Sequence, residues 1–151
     1  MTTGRESPLG VCNFLVRVAL LGPRGGRGDE RELAFSEVVF PPLRLDRSPV
    51  GDDPDPRIAD QAANLVLRRG HTGSHELYEW WRAERDAERL RVREVTVVLL
   101  DETHRPVTAW RFTGCRVSSL EYTPLDALDS GVLMESLELS FKAVEQFGVG
   151  N

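Results

Sequence analysis

The sequence predicts a mainly β domain of the α+β class, a small antiparallel barrel or sandwich of about six strands flanked by one α-helix. Several apolar runs alternate with a period of two, whereas only one segment repeats its apolar residues at spacings of three and four. The connections between these runs are rich in glycine, proline and aspartate. A length of 151 residues predicts a single domain over 1–151 that buries about two thirds of its extended surface.

The N-terminal part contains two strand-like runs and then a long polar segment. Residues 11–21 and 32–40 predict strands that form a hairpin across the glycine-rich loop 22–28. Residues 41–63 contain five prolines and five aspartates. Because proline cannot donate to a sheet ladder, this segment is predicted to be a long loop or arm that contacts a partner.

The middle of the chain predicts a strand over 64–69 and then the helix. Ser74 is the expected N-cap, with acidic residues close behind it. Trp81 lies at the border of the apolar stripe, either covering an edge of the core or facing a partner. The residues expected to pack the helix are Leu77, Trp80, Trp81, Ala83 and Ala87, and Leu90 continues the stripe.

The C-terminal part predicts a second hairpin and a last strand. Residues 93–101 and 107–117 are β-branched and apolar on either side of a polar turn. Residues 122–130 form a connector, and 131–144 alternate as one final strand.

Composition excludes several classes of protein. A net charge of −5 argues against nucleic-acid binding by the whole surface, although a local basic patch stays possible. The chain lacks both an apolar run long enough to span a membrane and a signal region, so a soluble protein made in the cytosol is expected. Cys12 and Cys115 are expected to be buried free thiols rather than a disulfide.

Candidate chemical sites are weak. His71 and His75 are four residues apart, but Gly73 and Ser74 separate them and no third ligand is near in sequence. The aspartates of 52–60 are interrupted by prolines, which destroys calcium-loop spacing. The sequence contains no recognisable nucleophile motif. We therefore expect no metal, no cofactor and no catalytic residues.

The order of segments resembles the tail tube proteins of contractile phages and related extracellular injection systems. The most specific stretch is a strand that continues through RRG and TGS into a helix with paired tryptophans. The matching segments are NFLV (13–16), FSEV (35–38), NLVLRRG with HTGSHELYEWW (64–81), VTVVLLDE (95–102), WRF (110–112) and MESLELSF (134–141).

This resemblance implies a structural subunit that catalyses nothing. Six copies would form a ring, and rings would stack into a hollow tube inside a sheath and dock onto a baseplate. The implied partners are the chain itself, related tube proteins, and sheath and baseplate proteins, with no specific nucleic-acid binding. Assembly would take place in the cytoplasm, in a phage tail or a similar particle that can be released from the cell.

In such a subunit the proline-rich segment would be an assembly arm that bridges neighbouring copies. The arm residues are Pro41, Pro42, Leu43, Leu45, Pro49, Asp53, Pro54, Asp55, Pro56 and Ile58. The family usually forms a long β-hairpin here, which the prolines interrupt. Two alternatives stay open: a specialised initiator or end-adaptor ring, and a stand-alone β-barrel binding module.

Overall fold

The computed structural model describes residues 13–21, 27–45, 64–87, 92–129 and 131–149. These ranges contain eight strands and one helix, which confirms a mainly β fold with one helix but exceeds the expected six strands. In chain order they are β1 (Asn13–Leu21), β2 (Arg27–Leu33), β3 (Glu37–Val39), β4 (Leu65–Gly70), α1 (Glu76–Asp86), β5 (Arg93–Leu100), β6 (Pro106–Tyr122), β7 (Met134–Ser140) and β8 (Ala143–Gly148).

All neighbouring strands are antiparallel. Their order is β2-β1-β5-β6-β7-β4-β3, and β8 pairs with β6 outside this path. Within the described residues the sheet is not closed, because the path ends at β2 and β3. The long strand β6 belongs to both halves: its first part pairs with β5 and β8, and its last part pairs with β7. A register shift between Val117 and Ser119 lies within the β7-paired part.

The second predicted hairpin is confirmed; the first forms, but with Arg27–Leu33 as its second strand instead of 32–40. β1 pairs with β2, and β5 pairs with β6. The turn of the second hairpin is organised by Asp101, whose Oδ1 accepts the N–H groups of Thr103 at 2.8 Å and Arg105 at 3.0 Å. The hydrogen bond from the Arg105 N–H, followed by those from the hydroxyl and the N–H of Thr103, holds the pKa of Asp101 below its usual value.

Three of the predicted strands are wrong in extent. The run 107–117 is too short, because β6 continues to Tyr122 to pair with β7. The run 32–40 is not one strand: β2 ends at Leu33, and β3 leaves to pair with β4. The run 131–144 divides into β7 and β8. At this reversal the N–H of Lys142 donates to the carbonyl of Thr113 at 2.8 Å. A Cβ on Gly114, which has a φ of +70°, would lie 2.7 Å from Lys142 Cγ, so the reversal packs against a glycine backbone.

The main core lies between the two halves of the sheet and under the helix. Strands β4 and β7 contribute opposed leucines, since Leu65 pairs with Leu139 and Leu67 with Leu137. The other buried members are Val16, Val18, Leu33, Leu77, Trp80, Val95, Val97, Phe112 and Cys115. Val98, Leu100 and Ala109 form a second small cluster. Strand β5 contributes to both clusters, which is why its burial is nearly continuous rather than alternating.

Candidate functional site

Helix α1 is fastened to the sheet by buried side chains and one carboxylate. Leu77 and Trp80 are buried. The carboxylate of Glu84 accepts the Trp80 indole N–H at 2.9 Å and the backbone N–H of Val117 at 2.9 and 3.0 Å. Glu84 therefore links the helix to the backbone of β6 at Val117, where the register between β6 and β7 shifts.

The ends of the helix differ from the sequence prediction. His75, not Ser74, occupies the N-cap position, while the hydroxyl of Ser74 accepts the Glu76 N–H at 3.3 Å. The helix ends at Asp86, so Ala87 is the C-cap residue rather than a member of the helical stripe. Leu90 lies outside the described residues. The stripe is shorter than the spacing alone indicates.

The outer side of the helix carries an aromatic and cationic group. Trp81 is half-buried and does not belong to the buried core cluster. Its ring lies 5.8 Å from that of Tyr78, and the guanidinium of Arg85 lies 4.9 Å from it. Ala83, the remaining residue of the predicted stripe, is half-buried.

A buried ionic network joins β4, β7 and the first turn of α1. Arg69 Nε donates to Glu135 Oε2 at 3.0 Å, and His71 Nδ1 lies 2.8 Å from Glu135 Oε1. Arg69 NH1 also lies 3.3 Å from Glu76 Oε1. Arg69 and Glu135 are both buried, so each charge depends on the other for compensation. The network holds β4, β7 and the first turn of α1 together at one end of the sheet.

The sequence contains a signal for this network that our prediction missed. Arg69 occupies the inward position that Leu65 and Leu67 occupy earlier in β4, and Glu135 precedes Leu137 in the same way. Opposite charges at core positions of two alternating strands indicate a buried pair. The two residues are direct cross-strand partners.

Cys115 is a buried free thiol, as predicted. Burial raises its pKa to about 12, and its S–H donates to the carbonyl of Phe112 at 3.3 Å. Cys12 lies outside the described residues. Across the described ranges, no three His, Cys, Asp or Glu side chains gather as a metal site. No helix in the described part is both long and apolar enough to cross a membrane.

Large apolar side chains are most exposed in two loops. In the connection between β6 and β7, residues 123–133, Leu125 is 86% exposed, Leu128 98% and Val132 69%. At the start of the proline-rich segment, Leu43 is 68% exposed and Leu45 80%. Surfaces of this kind, concentrated rather than scattered, are typical of contacts with another molecule.

The predicted arm residues divide between described and undescribed parts of the chain. Phe40, just before them, packs against Trp110 with the two rings tilted and their centroids 4.8 Å apart, and Pro41 is buried. Pro42, like Leu43 and Leu45, is exposed. Pro49, Asp53, Pro54, Asp55, Pro56 and Ile58 lie outside the described residues.

Comparison with known proteins gives one family and several structures. The family described as T4-like virus tail tube protein gp19 matches residues 57–145, more than half of the chain. No curated protein sequence matches. A chain in the cryo-EM structure of the anti-feeding prophage (AFP) baseplate is 21% identical at a TM-score of 0.70, with 95% of this chain and 98% of that chain covered.

Two further cryo-EM structures have similar folds. A chain of the PVC sheath-tube complex in its extended state, from an extracellular contractile injection system, is 19% identical at a TM-score of 0.67, covering 95% of this chain and 94% of that one. A chain of the AFP cap, which terminates the tube, is 17% identical at a TM-score of 0.68, covering 99% and 97%. These similarities extend over almost the whole length of each chain.

Proposed function

The chain belongs to the T4-like virus tail tube protein family, and we propose that it is a structural subunit of the inner tube of a contractile injection system or phage tail. In this proposal residues 1–151 form one tail-tube-like domain. Six copies form a ring, and rings stack on one another or dock onto a baseplate. The observation that carries the proposal is the family match over residues 57–145.

The surface of the subunit supports a role in assembly. Within the described residues, β2 and β3 end the hydrogen-bonded path of the sheet, so each has one unpaired side. In this proposal the open sheet curves around the main core as a small barrel or sandwich, and neighbouring copies in the assembled tube cover its edges. The exposed leucines of 43–45 and 123–133 supply apolar contact area of the same kind.

The partners in this proposal are other copies of the chain, related tube proteins, and sheath and baseplate proteins. The role is structural and involves no reaction and no cofactor. Assembly takes place in the cytoplasm, and the finished particle can leave the cell. The net charge of −5 suits a protein that does not bind nucleic acid along its whole surface.

A second candidate is an initiator or end-adaptor ring, which the five prolines of 41–63 favour because they interrupt an extended hairpin. Such a ring would contact the repeating tube on one side only. Pull-down with separately produced tube and baseplate proteins distinguishes the two: a repeating subunit binds itself end to end, whereas an adaptor binds a related tube protein more tightly than itself.

Light scattering across a concentration series tests the proposal. Six copies of the 16.9 kDa chain give about 101 kDa, and negative-stain images should contain rings or tubes. A chain that stays monomeric at the highest concentration, and that captures neither tube nor baseplate protein, would instead be a stand-alone binding module.

A further inference from the structure

The connection between β6 and β7, residues 123–133, is described except for Ser130 and carries exposed apolar side chains; we call it the apolar loop. The N–H of Leu128 donates to Asp126 Oδ1 at 3.0 Å, and that of Gly131 donates to Asp129 Oδ1 at 3.0 Å. At its base the N–H of Met134 donates to the Thr123 hydroxyl at 2.9 Å. These hydrogen bonds constrain the backbone that carries the exposed Leu125, Leu128 and Val132.

This apolar loop surrounds an open cavity of about 800 Å³. Leu125 and Val132 line the cavity together with Asp126 and Asp129. Each aspartate accepts one N–H of the loop backbone at Oδ1, and both residues line the cavity. The loop therefore presents apolar surface next to negative charge.

The arm base, residues 43–45, has the complementary chemistry. Leu43 and Leu45 are largely exposed, and the exposed Arg44 between them makes no ion pair with another described residue. Two apolar side chains that flank one cation match a surface of leucines, valine and carboxylates.

The two surfaces lie at opposite ends of the sheet. Strand β3 leads into the arm base, and its last residue, Val39, pairs with Val66 near the start of β4. The apolar loop leads into Met134, which pairs with Gly70 at the other end of β4.

Strand β6 gives the same separation. Leu43 lines a cavity with Phe112, whereas the apolar loop begins after Tyr122, ten residues further along. At about 3.3 Å per residue this is roughly 30 Å of strand. One copy therefore cannot join its own arm base to its own apolar loop, but two copies placed end to end can.

We propose that the arm base of one copy docks onto the apolar loop of a second copy. Leu43 and Leu45 pack against Leu125, Leu128 and Val132, and Arg44 faces Asp126 and Asp129. The two sides of this contact differ, so it repeats from copy to copy and continues along the tube axis. This inference rests on the proposed function and adds to it the receiving surface of the contact between rings.

Cross-linking of two separately purified variants tests the contact. Leu45→Cys and Leu128→Cys are each made in a Cys12→Ser background, while Cys115 is retained because its buried thiol reacts poorly. Mixed and treated with a short bismaleimide, they should give a species of twice the 16.9 kDa chain mass. We expect about tenfold more of it than from Leu45→Cys mixed with Glu102→Cys, an exposed position on the β5–β6 turn.

The double variant Leu125→Ser, Leu128→Ser provides the second measurement. Both side chains are on the surface, so the fold should survive, as checked by circular dichroism. Rings should still form but stay unstacked in negative stain, whereas Tyr78→Ser, at an exposed position on α1, should leave stacking unchanged.

The outcomes separate this inference from the proposed function. If the unmodified chain forms stacked rings and cross-linking only equals the Glu102→Cys control, the docking contact is wrong and the tube subunit stands. A Leu45→Cys, Leu128→Cys chain that cross-links within itself at high dilution also overturns the contact. A chain that never leaves the monomer in light scattering overturns the proposed function and the contact with it.

Discussion

At the scale of single residues, a buried pair of opposite charges joins β4 and β7 at one end of the sheet. Arg69 and Glu135 are direct cross-strand partners inside the protein, and His71 and Glu76 complete their network. Removing one member leaves the other as an uncompensated charge in a poorly solvated place. The network therefore adds a charge requirement to the β4–β7 register that the buried leucines beside it also specify.

Glu135→Gln should destabilise the protein by about 3 to 5 kcal/mol, because it keeps the shape of the side chain but removes the charge opposite buried Arg69. The measurement is the free energy of unfolding in urea at pH 7.

The matched control is Glu37→Gln. Glu37 also pairs with an arginine of β4, Arg68 at 3.3 Å, but both side chains are about half exposed. Its loss should cost less than about 1 kcal/mol. Equal effects of the two substitutions would show that burial of the Arg69–Glu135 pair is not what matters.

Cys115 gives the stability of the protein a dependence on alkaline pH. Burial raises the thiol pKa from 9.0 to about 12 in the folded chain. Below pH 9 the thiol is protonated in both states and contributes nothing to the pH dependence. Between pH 9 and 12 the unfolded chain releases this proton while the folded chain keeps it, so stability falls as the pH rises.

The free energy of unfolding should therefore fall between pH 9 and 10.5, with a contribution from Cys115 of up to about 1.4 kcal/mol per pH unit. Urea titrations of the reduced protein at several pH values measure this slope. Cys115→Ala should show a shallower slope, although its stability at pH 8 is lower through lost packing. Parallel slopes would mean that the thiol is accessible to water.

At the scale of elements, the apolar pattern of the sequence predicts that the helix forms, but it does not predict which strand the helix contacts. Spacings of three and four identify α1 and its buried residues Leu77 and Trp80. The hydrogen bonds from Trp80 and Val117 to Glu84 depend on where β6 passes, and no local pattern contains that information. Glu84 is thus a partly buried carboxylate that bonds two donors on different elements.

Glu84→Ala should cost about 1 to 3 kcal/mol, since the N–H of Val117 and the indole N–H of Trp80 both lose their acceptor. Thermal unfolding followed by circular dichroism and by tryptophan fluorescence, to which Trp80, Trp81 and Trp110 all contribute, measures the loss.

Glu79→Ala is the comparison on the same helix. Its carboxylate is exposed and lies 3.8 Å from Arg82, so the substitution should cost less than about 1 kcal/mol. A loss at Glu84 no larger than this would mean that the helix is held by its apolar residues alone.

The strands likewise show what a local pattern predicts and what only strand pairing determines. Alternation predicts β1, β4, β5 and most of β6 because each buries one face or both. It does not predict that the runs 32–40 and 131–144 are each interrupted. When the chain turns without changing which side chains face the core, the apolar and polar residues still alternate. The breaks become visible only through their partners: β3 pairs with β4, and β8 with β6.

At the scale of the whole molecule, one strand connects the parts. β6 pairs with β5, β8 and β7 and receives the helix through Glu84. The two ends of this framework carry the arm base and the apolar loop, so the molecule has two chemically different ends. A subunit with unlike ends suits an assembly that grows in one direction.

Replacing residues 46–63 by a short glycine-serine linker should leave the fold intact, because Val39 and Val66 are already paired and the connection between them can be shortened. The shortened chain should form rings that stack and dock more weakly than those of the full chain, because it keeps the arm base, residues 43–45, and loses the rest of the arm. Circular dichroism checks the fold and negative stain the assembly. Loss of the fold would instead place this segment in the core, and normal stacking would remove its role as an arm.

The sequence by itself determined the class of the protein: a mainly β chain with one helix, two hairpins, a buried free Cys115 and membership of a tube protein family. These properties follow from local periodicity, turn residues and short motifs, which neighbouring residues specify. Only the tertiary structure decided the order of the eight strands, the Arg69–Glu135 pair and the placement of the arm base and the apolar loop at opposite ends of the sheet. They depend on contacts between residues far apart in the chain, and such contacts are set by packing and register, which local patterns do not encode.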